Sequence, residues 1–467
     1  MEMEMENGRE EETQHSFNIN ISQVQLNSIK QNIAEKPRGL CNWAGNSSCS
    51  IYKVPQSLVC INHNAYHPQI VSIGPYHKGK PNLDIIQEHK WKFLGSLLSR
   101  TRNDHGLELE DYFRVVKSLE TKIRESYSEH IELGTDELVE IMVLDGCFVV
   151  ELFRIMGGLI AIDSSDPIFV VPWVFPCLAR DLVRLENQIP FFVLEALFDL
   201  SNPPRKELQE QTTPSLALLA LRFFNYIVQR NDEVIEQHHS LKAKHLLDLL
   251  SHSFIVPRQI PQMVSKSSSN VNKDLLPVQA NSIPCLSKLR RSGIKFIAKK
   301  TAESFLDIRF IRGVLEIPTV TIDDFMCSFL LNCVAYEQCH KHCSKHMTTY
   351  ATFMDFLIDT PRDVGFLCDS NIIENYFGTD VEVASFFNNM GKEVVFDIEL
   401  CYIDLPKLFG DVNEYYRSSR RVAWASFKYT YFSTPWSFIS ALAAAFLLVL
   451  TVLQTYFTMY AYFRPPN

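Results

Sequence analysis

The sequence predicts a mainly α protein: a large helical domain with a small β element and one C-terminal transmembrane helix. Three observations lead to this reading. Apolar residues recur at helical spacing along much of the chain, as in Ile86, Trp91, Leu94, Leu97 and Leu98. Only one pair of short strand-like runs stands out, Asp307–Ile311 and Val314–Ile317 around Arg312-Gly313. The 28 residues from Trp436 to Phe463 carry no charge.

Residues 1–50 form an acidic segment expected to be disordered, with six Glu against one Arg in the first twelve positions. Residues 51–432 form the helical domain. It opens on a short extended piece, Ile51 to Pro55, and continues through an irregular stretch rich in Pro, Gly and His from Tyr66 to Gly79. Helices are expected over Leu83–Arg100, Asp111–Tyr127 and Asp136–Met156. Val170–Phe198 is apolar and punctuated by Pro172, Pro176 and Pro190. A further helix follows Pro214 over Ser215–Gln229. A polar loop is expected near 262–284, containing Ser267, Ser268 and Ser269. After the strand pair, helices return over Asp324–Glu337, Thr348–Ile358, Pro361–Ser370 and Val381–Met390. The transmembrane helix is placed at 433–463 and a short tail at 464–467.

The chain is 46% hydrophobic and 21% charged, with a net charge of -9. That balance fits a globular domain and argues against nucleic-acid binding. The first fifty residues have neither a basic start nor an apolar run, so no secretory signal is expected. The twelve Cys do not follow a disulfide-framework spacing, and several lie inside apolar runs. They read as free thiols in a reducing compartment.

The charge-free C-terminal run exceeds the roughly 20 residues a spanning helix needs. Aromatic residues stand at both ends, Trp424, Tyr429, Tyr431, Phe432 and Trp436 before it and Tyr456, Tyr460, Tyr462 and Phe463 at its far end. The alternative, a buried core helix, sits poorly with this length. Arg417, Arg420, Arg421 and Lys428 precede the span, whereas only Arg464 follows it. The positive-inside rule then places the large domain in the cytosol, and the plasma membrane is the expected location. Sequons at Asn20 and Asn46 would matter only in the opposite topology.

Several blocks form a pattern together. Val71-Ser72-Ile73-Gly74-Pro75-Tyr76-His77 is followed by Leu144-Asp145-Gly146-Cys147-Phe148. Then come Leu185-Glu186-Asn187-Gln188-Ile189-Pro190-Phe191-Phe192, Gly293–Phe296, Gly313–Pro318, and Asn332 with Ala335-Tyr336-Glu337-Gln338. Their order and the C-terminal apolar run closely resemble the plant family called "domain of unknown function 247", from about Ile51 onward. The resemblance implies a plant membrane-associated protein, and some members are associated with self-incompatibility in grasses. It implies no shared enzymatic activity.

The motif residues also have readings of their own. In a helix, Pro190 could not donate to the carbonyl of Glu186, so Leu185–Phe192 reads as a kink whose freed acceptor Asn187 or Gln188 satisfies. The sharper alternative is a catalytic Glu186–Asp145 pair dividing acid and base roles. Asp145-Gly146 reads as the cap or bend at the start of a buried helix, with Cys147 and Phe148 in the core. Ile73-Gly74-Pro75-Tyr76-His77 reads as a tight turn with a structural His77. His63 and His67 are spaced like helical zinc ligands, with His77 further on, but Pro68 argues against a helix there. No metal site is assigned. Cys339, Cys343 and His346 are the other candidate ligands, weighed against a solvent-facing polar loop. Phosphate-loop, nucleophile-elbow, dinucleotide and kinase signatures are absent.

The expected function is therefore a membrane-tethered interaction or signalling protein without a cofactor. Membrane lipid and other proteins, a second copy of the chain included, are the expected partners. The alternative is a membrane-bound hydrolase-like enzyme using Glu186, Asp145 or His77.

Overall fold

The computed structural model describes residues 48–163, 165–202, 214–255, 282–340, 343–392, 405–417 and 435–463, with six residues between 24 and 31. Most of the acidic N-terminal segment, the polar loop up to residue 281, Arg420, Arg421, Lys428 and the tail at 464–467 lie outside them.

Helices are the main regular elements of the N-terminal half among the described residues. Short helices α1 (Gln56–Ile61) and α2 (His63–Tyr66) precede a 3-10 turn at Pro81–Ile86 and the long α3 (Gln87–His105). Then follow α4 (Leu109–Ser118), α5 (Glu120–Glu125), α6 (Thr135–Met156), α7 (Pro167–Val170), α8 (Val174–Leu182), α9 (Phe191–Leu200), α10 (Leu216–Val228), α11 (Asp232–Glu236) and α12 (Leu246–His252). The second half begins with α13 (Leu286–Arg291). The strands come next: β1 (Lys295–Lys299), β2 (Arg309–Ile311), β3 (Val314–Pro318) and β4 (Val320–Ile322). It continues with α14 (Asp324–Cys339), α15 (His346–Leu357), α16 (Pro361–Asp369), β5 (Ile373–Asn375), α17 (Asp380–Met390), α18 (Leu405–Arg417) and α19 (Pro435–Phe463).

Two helices are predominantly apolar, and both are buried over most of their length, as that composition demands. In α6 every residue from Ile141 to Arg154 is buried, with α3, α4, α9 and α10 packed around it. In α14 every residue from Phe325 to Glu337 is buried, among α2, α8, α12 and α15. One continuous hydrophobic cluster joins them, reaching from Cys49 to Val412.

The β element is larger than the sequence patterns suggested. β2 and β3 form the expected hairpin, and Arg312 (φ 51°) and Gly313 (φ 84°) take the two positive φ values of a type I′ turn. β1 was missed; it pairs parallel to β3 and completes a sheet of order β1-β3-β2. β4 and β5 form a separate parallel pair.

Three helical expectations need correction. The helix expected over Asp111–Tyr127 breaks at Leu119 into α4 and α5, and α4 starts with a capping box between Glu108 and Asp111. Trp91, assigned to the core stripe of α3, is 51% exposed; the buried face carries Lys90, Phe93, Leu94, Leu97 and Thr101. Asp145-Gly146 lies in the middle of α6, not at its start. A Cβ on Gly146 would come within 2.4 Å of Leu197 Cδ1 on α9. This close approach explains a residue that costs about 1 kcal/mol in a helix interior.

α19 differs from the rest of the fold. Its segment Phe438–Tyr460 is long and apolar enough to cross a membrane, and none of it is buried within the chain.

Candidate functional site

The motif residues meet around one irregular segment. Residues 67–77 form neither helix nor strand, yet Ile70, Val71, Ile73 and His77 are buried. A buried backbone N–H without a ladder partner must find another acceptor. Side chains far away in sequence supply them. Asp181 Oδ2 accepts from the backbone N–H groups of Gln69 (2.8 Å), Ile70 (2.8 Å) and Val71 (3.2 Å). Asn187 Oδ1 accepts from Ile73 N at 2.7 Å, and Asp145 Oδ2 accepts from Gly74 N at 2.8 Å. The segment's carbonyls are served too. Lys90 Nζ donates to Ser72 O, and Asn187 Nδ2 donates to Val71 O. Gly74 is required twice over, because its φ is +78° and a Cβ there would lie 2.6 Å from Gln188 O.

The segment 183–190 is the other half of this clamp. It is not a kinked helix. α8 ends at Leu182, α9 starts at Phe191, and Pro190 stands at the N-cap of α9 with extended backbone. Missing its N–H, Pro190 starts a helix here without losing an interior bond. Gln188 Nε2 donates to the carbonyls of Leu182 (2.7 Å) and Arg184 (2.8 Å), satisfying acceptors at the end of α8. Tyr127 Oη donates to Gln188 O, and Asn332 of α14 accepts from Leu185 N while donating to Ala65 O.

The charged residues around the segment each have their own partner. Asp145 pairs with Lys90 at 2.5 Å, both side chains being buried. Burial pushes the Asp145 carboxyl up, and the Lys90 ammonium pulls it back down. Asp181 lies 3.2 Å from Arg184 Nε, and burial lowers the Arg184 guanidinium to about 10. Glu186 Oε1 accepts from Val54 N at 2.9 Å, and Glu186 Oε2 lies 3.3 Å from His77 Nε2. Glu186 and Asp145 therefore do not act on one another. Asp145 borders a cleft of about 80 Å3 with Gly74, Lys78, Lys80 and Lys90, and neither Glu186 nor His77 lines it.

His67, His77 and Glu186 do come together. Their ligand atoms all lie within 4.8 Å of one another, and no other trio of His, Cys, Asp or Glu among the described residues does so. α2 ends at Tyr66, so His63 and His67 are not successive turns of one helix. Their rings nevertheless pack with centroids 4.4 Å apart. Cys339, Cys343 and His346 form no such group. Cys339 and Cys343 pack against the hydrophobic core, and burial pushes both thiols up, Cys339 to about 12. Cys343 instead lines a cleft of about 420 Å3 with Lys244, Asp248, His252, Tyr336 and His340.

Glu337 closes the start of α15. Its carboxylate accepts from Met347 N (3.0 Å) and Thr348 N (2.7 Å). Burial raises its pKa to about 7, opposed by these hydrogen bonds. A carboxyl raised in the folded state binds its proton more tightly there than in the unfolded chain. Its contribution to stability therefore falls as pH rises from about 4.5 through 7. Between pH 5 and 8, Glu337→Gln should gain about 2 kcal/mol relative to wild type. Parallel urea melts at the two pH values measure it, and a pH-independent difference would contradict the assignment.

Sequence reasoning missed Lys90, Asp181 and Arg184. Lys90 had a signal: it lies four residues from both Ile86 and Leu94, on the apolar face of its helix. Asp181 and Arg184 offer only an i,i+3 pair inside an apolar run.

Comparisons with known proteins agree with this picture of a shared scaffold. The family model DUF247, described as a plant protein of unknown function, matches residues 51–450. The UPF0481 protein At3g47200 of Arabidopsis thaliana is 38% identical over 444 residues, covering 92% of this chain and 90% of that protein. The putative UPF0481 protein At3g02645 of the same plant is 24% identical over 500 residues, covering 89% and 91% respectively. No solved structure matches the chain. With the matched region spanning every motif described above, the chain belongs to the DUF247 family of plant proteins.

Proposed function

We propose that this protein is a membrane-tethered interaction or signalling protein whose helical domain faces the cytosol, at the plasma membrane. The observation that carries the reading is α19, an apolar helix of 29 residues that the rest of the chain leaves uncovered. A bilayer about 30 Å thick is the environment such a helix suits. Arg417, Arg420, Arg421 and Lys428 on its N-terminal side favour the cytosolic orientation and contact with anionic headgroups, worth about 1 kcal/mol each. The twelve cysteines do not follow a disulfide-framework spacing, in keeping with a reducing compartment. The partners are proteins at the membrane, a second copy included. The hydrolase-like alternative has less support, because Asp145 and Glu186 are engaged with different backbone groups and different side chains, Lys90 and His77.

Deleting residues 435–467 tests the tether. The truncated chain should move from the membrane pellet to the soluble fraction. Retention in the pellet after a high-salt wash would contradict it.

A further inference from the structure

We propose that His67, His77 and Glu186 bind one divalent transition-metal ion, with zinc the best match to two imidazoles and a carboxylate. The three residues come from separate places in the chain, the end of α2, the irregular segment and the 183–190 segment, and their ligand atoms converge within 4.8 Å. Three protein ligands with a further position left for water or another side chain is a usual zinc arrangement. Exposed His63, packed on the His67 ring, is the nearest candidate for that position.

The convergence of three ligand atoms is what points to a metal. His77 is 1% exposed, and the 3.3 Å contact of its Nε2 with Glu186 Oε2 falls short of a well-formed hydrogen bond. His67 Nδ1 is likewise shielded from solvent and has no partner. Ring nitrogens left without a full partner are unusual, since buried polar atoms are nearly always satisfied. A cation among the three converging ligand atoms would engage both rings and Glu186. The charge states agree. Burial lowers the pKa of both imidazoles, which favours the neutral form that binds metal. Burial pushes the Glu186 carboxyl up, but His77 and the Val54 N–H outweigh it and keep the carboxyl below its usual range. Val54 N also fixes the orientation of the carboxylate, as outer partners of metal ligands do.

Lys80 is the competitor. Its Nζ lies 2.8 Å from His77 Nδ1, which places the ring proton on Nε2. A metal on Nε2 requires the proton to move to Nδ1 and the exposed Lys80 side chain to turn away.

The test uses the full chain in detergent, stripped with a chelator. Zn2+ is titrated against a chromophoric chelator, Co2+ absorption reports coordination, and melting is followed with and without metal. Wild type should bind one Zn2+ and melt at a higher temperature with it. His67→Gln should melt like wild type without metal yet bind Zn2+ at least about tenfold more weakly. Lys80→Met should bind it severalfold more tightly, and Cys343→Ser should bind it as wild type does. Absence of a stoichiometric site in wild type would overturn the proposal. So would wild-type affinity in His67→Gln, or unchanged or weaker binding in Lys80→Met.

Discussion

Asp181→Ala should destabilise the domain by about 3–5 kcal/mol, the typical result of removing one partner from a buried ion pair. Arg184 is fully buried, and the variant leaves it with the Asn64 carbonyl as its hydrogen-bond acceptor. The same substitution orphans the N–H groups of Gln69, Ile70 and Val71. Each buried unsatisfied donor costs about 1–3 kcal/mol, although a relaxing loop would not incur the full sum. Against a total stability of about 5–15 kcal/mol, the variant should accumulate poorly and unfold at markedly lower urea. Asp181→Asn keeps an acceptor oxygen and should be milder. Urea midpoints of the full chain measure both.

Asp145→Ala is the second large effect, again about 3–5 kcal/mol. It leaves the Lys90 ammonium, 3% exposed, with only the Ser72 carbonyl, and removes the acceptor of Gly74 N. The double variant Lys90→Met with Asp145→Ala should be more stable than Asp145→Ala alone, because the uncompensated charge is gone. A double variant that shows the sum of the two single losses would mean the pair is not coupled. The unmet Gly74 N–H should keep the double variant below wild type.

Much of the fold was legible because burial and periodicity agree. Leu138–Phe153 and Phe325–Tyr336 are predominantly apolar, and they became the two central helices. The Arg312-Gly313 turn identified its hairpin for the same local reason. What was missed depends on tertiary partners. β1 is defined by a parallel partner nineteen residues later, Lys295 opposite Val314, so no short window reveals it. Local preference for Asp and Gly at helix ends misplaced Asp145-Gly146, whose position is set by Lys90, Gly74 and Leu197. The proximity of Pro190 to Glu186 suggested a kinked helix, but nothing local showed that α8 had already ended at Leu182. His67 and His77 stood out together in the sequence, but Glu186, more than a hundred residues away, joins them only in the fold.

Asp145, Asp181 and Asn187 hold the irregular 67–77 segment in the core through its backbone N–H groups. Hydrogen exchange at the amides of Gln69, Ile70, Val71, Ile73 and Gly74 tests it most directly. All five donate to buried side chains, so they should exchange slowly although they lie outside helix and strand. In Asp181→Asn, the amides of Gln69, Ile70 and Val71 should lose protection first. Exchange of all five in wild type as fast as in the exposed loop at 159–163 would contradict the account.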